Sequence, residues 1–231
     1  PSLGSDFAEL LAVQLSDWYK QIEDGEIEKK PLSLVDIGPG EGHLSRDLII
    51  ALNGINPELL KRLDLVLVEP NQGMIKRQKK TLKEISNFNI PINWRSLDQL
   101  SKKPINGILI AHEILDALPV ERVILRGNKL YLQGVELVKK NENNFLRYIE
   151  LPLTNEINEW LNQINSSLGL FIPPEGAPDG WSTELHTELM HWFEQTSKAL
   201  NKGCLLVIDY GLKAISYYNK SRIAGTILGY R

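Results

Sequence analysis

Residues 34–42 read Leu34-Val35-Asp36-Ile37-Gly38-Pro39-Gly40-Glu41-Gly42. An apolar run ends on an acid, three glycines follow at alternate positions, and a helix-like segment runs from His43 to Leu52. Strand, tight turn and helix opening in that order place a ligand against a helix N-terminus at the carboxyl edge of a parallel sheet. Glycines in such a turn permit positive φ, let the backbone approach a ligand, or pack the helix against the strand. The spacing D-x-G-x-G-x-G differs from the dinucleotide fingerprint G-x-G-x-x-G, which offers a helix N-terminus to a pyrophosphate. With Asp36 ahead of the first glycine and Glu41 inside the loop, the local charge favours a cationic or zwitterionic ligand over a phosphate.

A second β-type run, Leu63-Asp64-Leu65-Val66-Leu67-Val68, ends on Glu69 and is followed by a helical stretch. In nucleoside-binding α/β folds an acid at the end of the second strand takes the ribose hydroxyls. Glu69 taken alone also reads as an acid favourable to a helix N-terminus. Together with the glycine loop it points to an adenosyl ligand. S-adenosylmethionine fits, because it carries a sulfonium, an amino group and no phosphate. Its candidate binding residues are Asp36, Gly38, Gly40, Gly42 and Glu69, with the Ser96-Leu97 turn flanking the adenine and Glu113 completing the set.

The chain has 231 residues, enough for a full core and for one domain with an insertion. A formal net charge of −3 argues against a phosphate-tracking surface, so nucleic acid is not an expected partner. The basic run Lys76-Arg77-Gln78-Lys79-Lys80 reads as the solvated face of a helix. Cys204 is the sole cysteine, so no intrachain disulfide can form, and a reducing compartment is expected. It lies in an apolar run and reads as a buried strand residue. No uncharged stretch approaches the ~20 residues of a membrane span, and no metal site is expected. The chain opens on Pro1 and reads as part of a longer protein. The expected location is the bacterial cytoplasm, or the mitochondrial matrix if a preceding segment is a transit peptide.

Apolar spacing predicts a helix over 6–20, strand 32–37, helix 42–52, strand 63–69, helix 71–86, a short strand over 90–94 and strand 105–111. Strands alternating with helices imply right-handed crossovers and a mostly parallel, twisted sheet with helices on both faces. After Pro119 the rhythm changes. Short β-type runs at 120–125, 129–138 and 145–151 predict an antiparallel insertion, followed by a helix over 155–165. A long amphipathic helix is expected over Ser182–Asn201, closed by Gly203 as a C-cap, leading into strand 204–210. The expected organisation is a helix and loop over 1–30, an α/β domain from 31–118 with 182–231, and an inserted α+β subdomain over 119–181.

Five strand ends bring polar groups to one sheet edge. Besides those above they include His112, Glu113, Asp116, Asp209 and Tyr210. Glu113 and Asp116 are three apart, which on a helical turn puts both on one face. Such a pair either binds a guanidinium, whose planar fork matches carboxylate geometry, or takes a proton from a nucleophile. Alternatively Glu113 holds a backbone amide and Asp116 caps the turn before Pro119. His112 is either a general base or a hydrogen-bonded structural residue.

The segment Asp36-Ile37-Gly38-Pro39-Gly40-Glu41-Gly42-His43-Leu44 resembles motif I of class I S-adenosylmethionine-dependent methyltransferases. Pro1–Phe7, His112–Val120, Ile208-Asp209-Tyr210-Gly211 and Gly225–Arg231 narrow the resemblance to the MidA-type family, which includes a mitochondrial complex I assembly methyltransferase. That resemblance implies a Rossmann-like class I fold with an insertion, S-adenosylmethionine as donor, and arginine in a protein, a complex I-like subunit, as acceptor. It implies catalytic roles for Glu113 and Asp116, with Asp209 and Tyr210 lining the same pocket. Family members often carry asparagine where His112 stands. The alternative readings are a small-molecule methyltransferase and a non-catalytic assembly factor that binds the cofactor. No oligomeric state follows from the sequence.

Overall fold

The computed structural model describes residues 4–25, 30–140 and 143–227. Pro1–Leu3 of the first motif and Leu228–Arg231 of the last lie outside the described residues. The chain divides into two compact units, Pro1–Ala117 with His191–Asp209, and Leu118–Met190 with Tyr210–Arg231.

The first unit opens with α1 (Gly4–Glu23), β1 (Leu32–Ile37), α2 (His43–Ile55), α3 (Pro57–Leu60) and β2 (Leu63–Val68). Next come α4 (Gln72–Thr81), a 3₁₀ segment (Leu82–Phe88), β3 (Ile92–Trp94), α5 (Leu97–Lys102) and β4 (Ile105–His112). Its sheet has the order β3-β2-β1-β4 with a fifth strand, Leu200–Ile208, beyond β4, and every pairing is parallel. The chain builds outward from β1 to β3, then returns to the other side of β1. The reversal lies between β1 and β4, and open α/β sheets bind ligands outside the carboxyl ends at such a point. All six residues of β1 are buried. Leu32, Leu34, Leu63, Leu65, Leu67, Ile108 and Ile110 pack with α1 and α2 in one core. The alternate set Val35, Ile37, Val66, Leu109 and Ala111 is equally buried, so the sheet is covered on both faces, as a parallel sheet requires.

In the second unit β5 (Glu121–Arg126), β6 (Lys129–Lys140) and β7 (Asn143–Leu151) form an antiparallel sheet of order β7-β6-β5-β8, followed in the chain by α6 (Asn155–Leu168). β8 is Ser182–Leu185, and it corrects the expectation of one helix over Ser182–Asn201. Residues 181–185 are buried on both sides of the strand, and Ser182 to Leu185 pair antiparallel with Ile124 to Glu121. The helix in this region, α7, covers only Leu189–Lys198. The fifth parallel strand, β9 (Leu200–Ile208), then starts four residues earlier than the sequence suggests, and a short α8 (Ala214–Tyr217) follows it. Cys204 lies on β9, half-buried, with its thiol pushed up by desolvation.

The buried carboxylate of Glu184 on β8 accepts hydrogen bonds from the Thr226 amide (2.8 Å), the Thr226 hydroxyl (3.0 Å) and the Tyr217 hydroxyl (3.4 Å). Arg122 pairs with it at 3.9 Å. A Cβ on Gly225 would lie 2.2 Å from Glu184 Oε1. The described part of the Gly225–Arg231 motif therefore serves to seat this segment on β8.

Gly203 is not a helix cap. It sits inside β9 opposite Gly107 of β4, where a Cβ would lie 1.8 Å from the Gly107 carbonyl oxygen. A Cβ on Gly107 would lie 1.9 Å from the Ser33 carbonyl oxygen of β1. The adjacent strands β1, β4 and β9 thus approach too closely for any side chain at these two positions. Gly107→Ala is expected to destabilise the protein by about 2–4 kcal/mol through backbone displacement. Chemical denaturation checks this, and an unchanged midpoint would refute the close approach.

Candidate functional site

Each predicted site residue of the first unit stands at or just beyond the carboxyl end of a parallel strand. Gly38 follows β1, Glu69 follows β2, Ser96 lies two residues past β3, Glu113 follows β4 and Asp209 follows β9. The glycine loop is a tight turn closed by the Gly42 amide on the Pro39 carbonyl (2.8 Å), and the Gly38 amide bonds the Val68 carbonyl of β2 (3.1 Å). Gly38 has φ +68, and a Cβ there would meet Ile114 Cδ1 at 2.5 Å. Gly40, at φ +53, faces open space. The first glycine is thus needed for packing, and the second leaves room for a ligand.

A cavity of about 360 Å³ opens at this edge. Gly38, Pro39, Gly40, Glu41, His43, Leu44 and Asp47 line it on the β1–α2 side, with His112 and Glu113 after β4 and Gly4 at the start of α1. Its volume falls within the roughly 300–1,000 Å³ of small-molecule sites. Three carboxylates border it, which suits a cationic ligand. Two are partly balanced: Glu41 contacts Arg77 at 3.1 Å, and Asp47 pairs with Arg46 at 2.7 Å. Among the described residues no cluster of acids, histidines and cysteine could hold a metal ion, and no helix is long and apolar enough to cross a membrane.

Glu113 has φ +49, a left-handed backbone that side chains other than glycine rarely adopt. Its amide is fixed to the Ile208 carbonyl of β9 at 2.8 Å. A single turn follows, closed by the Ala117 amide on the Ile114 carbonyl (3.2 Å), and the Leu115 amide is held by Asp209 Oδ2 (2.9 Å). The helical turn expected to put Glu113 and Asp116 on one face is therefore replaced by a kink and a turn. Glu113 lines the cavity; Asp116 does not. Tyr210 belongs to the second unit and exposes 72% of its surface. His112 lines the cavity with its ring 6.0 Å from that of Phe7 on α1.

Asp36 lies beneath the loop, buried, and accepts a 2.5 Å hydrogen bond from the Ser45 hydroxyl of α2. It ties the two flanks of the loop together. Burial raises its carboxyl to about 6, with the Ser45 bond pulling the other way. Ser96 caps α5: its hydroxyl accepts the Gln99 amide (3.1 Å) while Gln99 accepts the Ser96 amide (2.9 Å). Glu69 accepts the Asn71 amide at 2.8 Å.

Glu41, His43, Asp47 and Gln78 join this region without having been singled out as site residues. Gln78 is buried, donates to the Gly40 carbonyl (2.7 Å) and to Glu69 Oε2 (3.2 Å), and accepts from the Trp94 indole (2.7 Å). Its signal was present within the basic run: Ile75, Gln78, Leu82 and Ile85 recur at helical spacing, so Gln78 occupies a core-facing row.

An all-parallel sheet with a glycine turn at its switch point and acids at the following strand ends defines a nucleoside-cofactor-binding α/β protein. The sequence model of the family described as "Putative S-adenosyl-L-methionine-dependent methyltransferase" matches residues 10–231. The chain belongs to that family, whose cofactor is S-adenosylmethionine. It is 30% identical over 144 residues to "Protein arginine methyltransferase NDUFAF7, mitochondrial" of Xenopus tropicalis, a match covering 53% of this chain and 32% of that protein. Its counterpart in Danio rerio is 26% identical over 141 residues, with the same coverage. The chain thus spans about a third of the length of these relatives. The crystal structure of a COG1565 superfamily member from Burkholderia thailandensis, bound to S-adenosyl-homocysteine, superposes with TM-score 0.75 at 24% identity, covering 98% of this chain and 52% of that one. That likeness establishes the fold.

Two outcomes follow from the site. Asp36, protonated more readily in the folded protein than its ordinary 3.8, imposes a cost that grows as pH rises from about 4 through about 6. A shift of about two units corresponds to ~3 kcal/mol. Asp36→Asn is therefore expected to be more stable than the parent by up to that amount at pH 8, and near equal at pH 3.5, in denaturation across pH. Glu113→Gly is expected to keep or raise the melting temperature, because glycine relieves the left-handed strain of ~1 kcal/mol; a clear drop would show that Glu113 supports the fold.

Proposed function

We propose that this chain carries the cofactor-binding and catalytic part of a methyltransferase acting on arginine in a protein. The observation that carries the reading is Glu113. A non-glycine residue is held in a costly left-handed conformation directly after β4, with its side chain bordering the cavity beside the glycine loop. Strain of this kind persists where the surroundings over-determine it, and it concentrates at functional sites. The acidic border suits a guanidinium, and the similarity to the protein arginine methyltransferases of Xenopus and Danio supports that acceptor.

Gly38, Gly40 and Gly42 are assigned to the amino-acid end of the cofactor, Glu69 to its ribose, and the Ser96-Leu97 turn to its adenine. Asp36 supports the loop from below. When bound, S-adenosylmethionine supplies an electrophilic methyl group on a sulfonium. Glu113 binds the guanidinium by charge-assisted hydrogen bonds and turns one terminal nitrogen toward the cavity. As that nitrogen is alkylated it gives up a proton, for which Glu113 is the assigned acceptor. Asp209 holds the turn that follows Glu113 through its bond to the Leu115 amide. Tyr210 is assigned to the acceptor side. The family resemblance carried by the motifs at 112–120 and 208–211 supports a subunit of a complex I-like dehydrogenase as the acceptor. The matching compartment is the bacterial cytoplasm or the mitochondrial matrix.

Calorimetry should record binding of S-adenosylmethionine or S-adenosylhomocysteine, weakened by Glu69→Ala at least ~10-fold, as expected on removing a charged hydrogen-bond acceptor. Mass spectrometry of arginine methylation in cells with and without the full-length protein tests the acceptor. Loss of one methylarginine that Glu113→Gln fails to restore, at a rate lowered about 10²-fold, is the expected result. An unchanged methylarginine inventory would sink the protein-methyltransferase reading.

A further inference from the structure

The ends of three neighbouring strands, β1 through its glycine loop, β2 through Glu69 and β3 through Trp94, meet at a single side chain. Gln78 is 0% exposed, whereas Lys76, Arg77, Lys79 and Lys80 around it on α4 are all exposed. A buried carboxamide is tolerated only when its polar atoms are bonded. Here both amide hydrogens are used, one on the Gly40 carbonyl of the glycine loop and one on Glu69 Oε2 after β2. Its oxygen takes the indole N–H of Trp94, the last residue of β3.

The partners fix the amide in one orientation. An indole N–H can only donate; a carbonyl and a carboxylate can only accept. A flipped amide would set N–H against N–H and oxygen against two acceptors. Lys79 lies 5.2 Å from the centroid of the Trp94 ring and helps hold the indole in place. Glu69 is thereby tethered at both oxygens, Oε1 by the Asn71 amide and Oε2 by Gln78. Each oxygen keeps a further lone pair for a ligand hydroxyl.

We infer that Gln78 is a positioning residue for the cofactor, locking the Glu69 carboxylate in register with the glycine loop so that the ribose meets an acceptor already oriented. Pre-organisation of this kind raises affinity by removing the cost of ordering the group at the moment of binding. A methionine at position 78, of equal length but without hydrogen-bond donors, would fill the space but leave Glu69 free to rotate and the Gly40 carbonyl without its partner. The inference rests on the assignment of Glu69 to the ribose.

The test is a double-mutant cycle read by calorimetry with S-adenosylhomocysteine on the parent protein, Gln78→Met, Glu69→Ala and the double variant, with melting curves to verify folding. Gln78→Met is expected to weaken binding about 10–100-fold in the parent and under about threefold in the Glu69→Ala background, because its effect passes through Glu69. Equal losses in both backgrounds, or unchanged affinity in a folded Gln78→Met protein, would overturn the inference. Full affinity in Glu69→Ala alone would instead overturn the ribose assignment on which it rests. Should Gln78→Met fail to fold, Trp94→Phe removes only the bond that orients the amide. It is then expected to weaken binding about threefold in the parent and not at all with Glu69→Ala, and no loss in the parent would be decisive against the role of Gln78.

Discussion

β1 is buried along its whole length and paired on both edges, with β2 on one side and β4 on the other. Such a strand has no free backbone groups and no solvent-facing side chains to offer. Chemistry can begin only where it ends, at Gly38. The rest of the first unit follows from that constraint. The close approach of Ser33, Gly107 and Gly203 joins β1, β4 and the edge strand β9 tightly, and the reversal of strand order at β1 and β4 opens a crevice where their carboxyl ends diverge.

The edge of that sheet is where the molecule holds its unfavourable features. Three glycines and one glutamate have left-handed backbones, a buried aspartate has its carboxyl raised to about 6 by desolvation, and a carboxamide is fully buried. The aspartate, the glutamate and the carboxamide each have a local partner. Ser45 bonds Asp36, the Ile208 carbonyl fixes Glu113, and Gly40, Glu69 and Trp94 satisfy Gln78. Concentrating such costs at one edge marks it as the functional one.

The second unit solves a different problem with a similar device. Its buried carboxylate, Glu184, is matched by Thr226, Tyr217 and Arg122, and it seats the segment around Gly225 against β8. A buried charge left unpaired would be strongly destabilising, so this set of bonds also selects one placement of the segment over others.

Much of this was legible in the residues alone. Asp36 through Gly42 declared strand, turn and helix, and Glu69 repeated the pattern one unit later, because a parallel strand buried on both faces must read as an apolar run and must end at a break. The antiparallel hairpins of 120–151 were legible from turn residues between β-type runs. The stretch 182–203 was legible only in its middle, where α7 forms; helix-like spacing hid the strand at 182–185, and Lys202-Gly203 mimicked a cap inside β9. Strand pairing of β8 with β5, and the contact of Gly203 with Gly107, are relations between segments far apart in the chain, and local periodicity carries no trace of them. The same holds at the site. The sequence by itself determined which acids and glycines stand at strand ends. Only the tertiary structure decided that Asp36 lies under the loop, that Glu113 rather than Asp116 borders the cavity, and that a glutamine hidden in a basic run joins the ends of three strands. Those outcomes depend on backbone hydrogen bonds and burial contributed by other strands, which exist only once the sheet has formed.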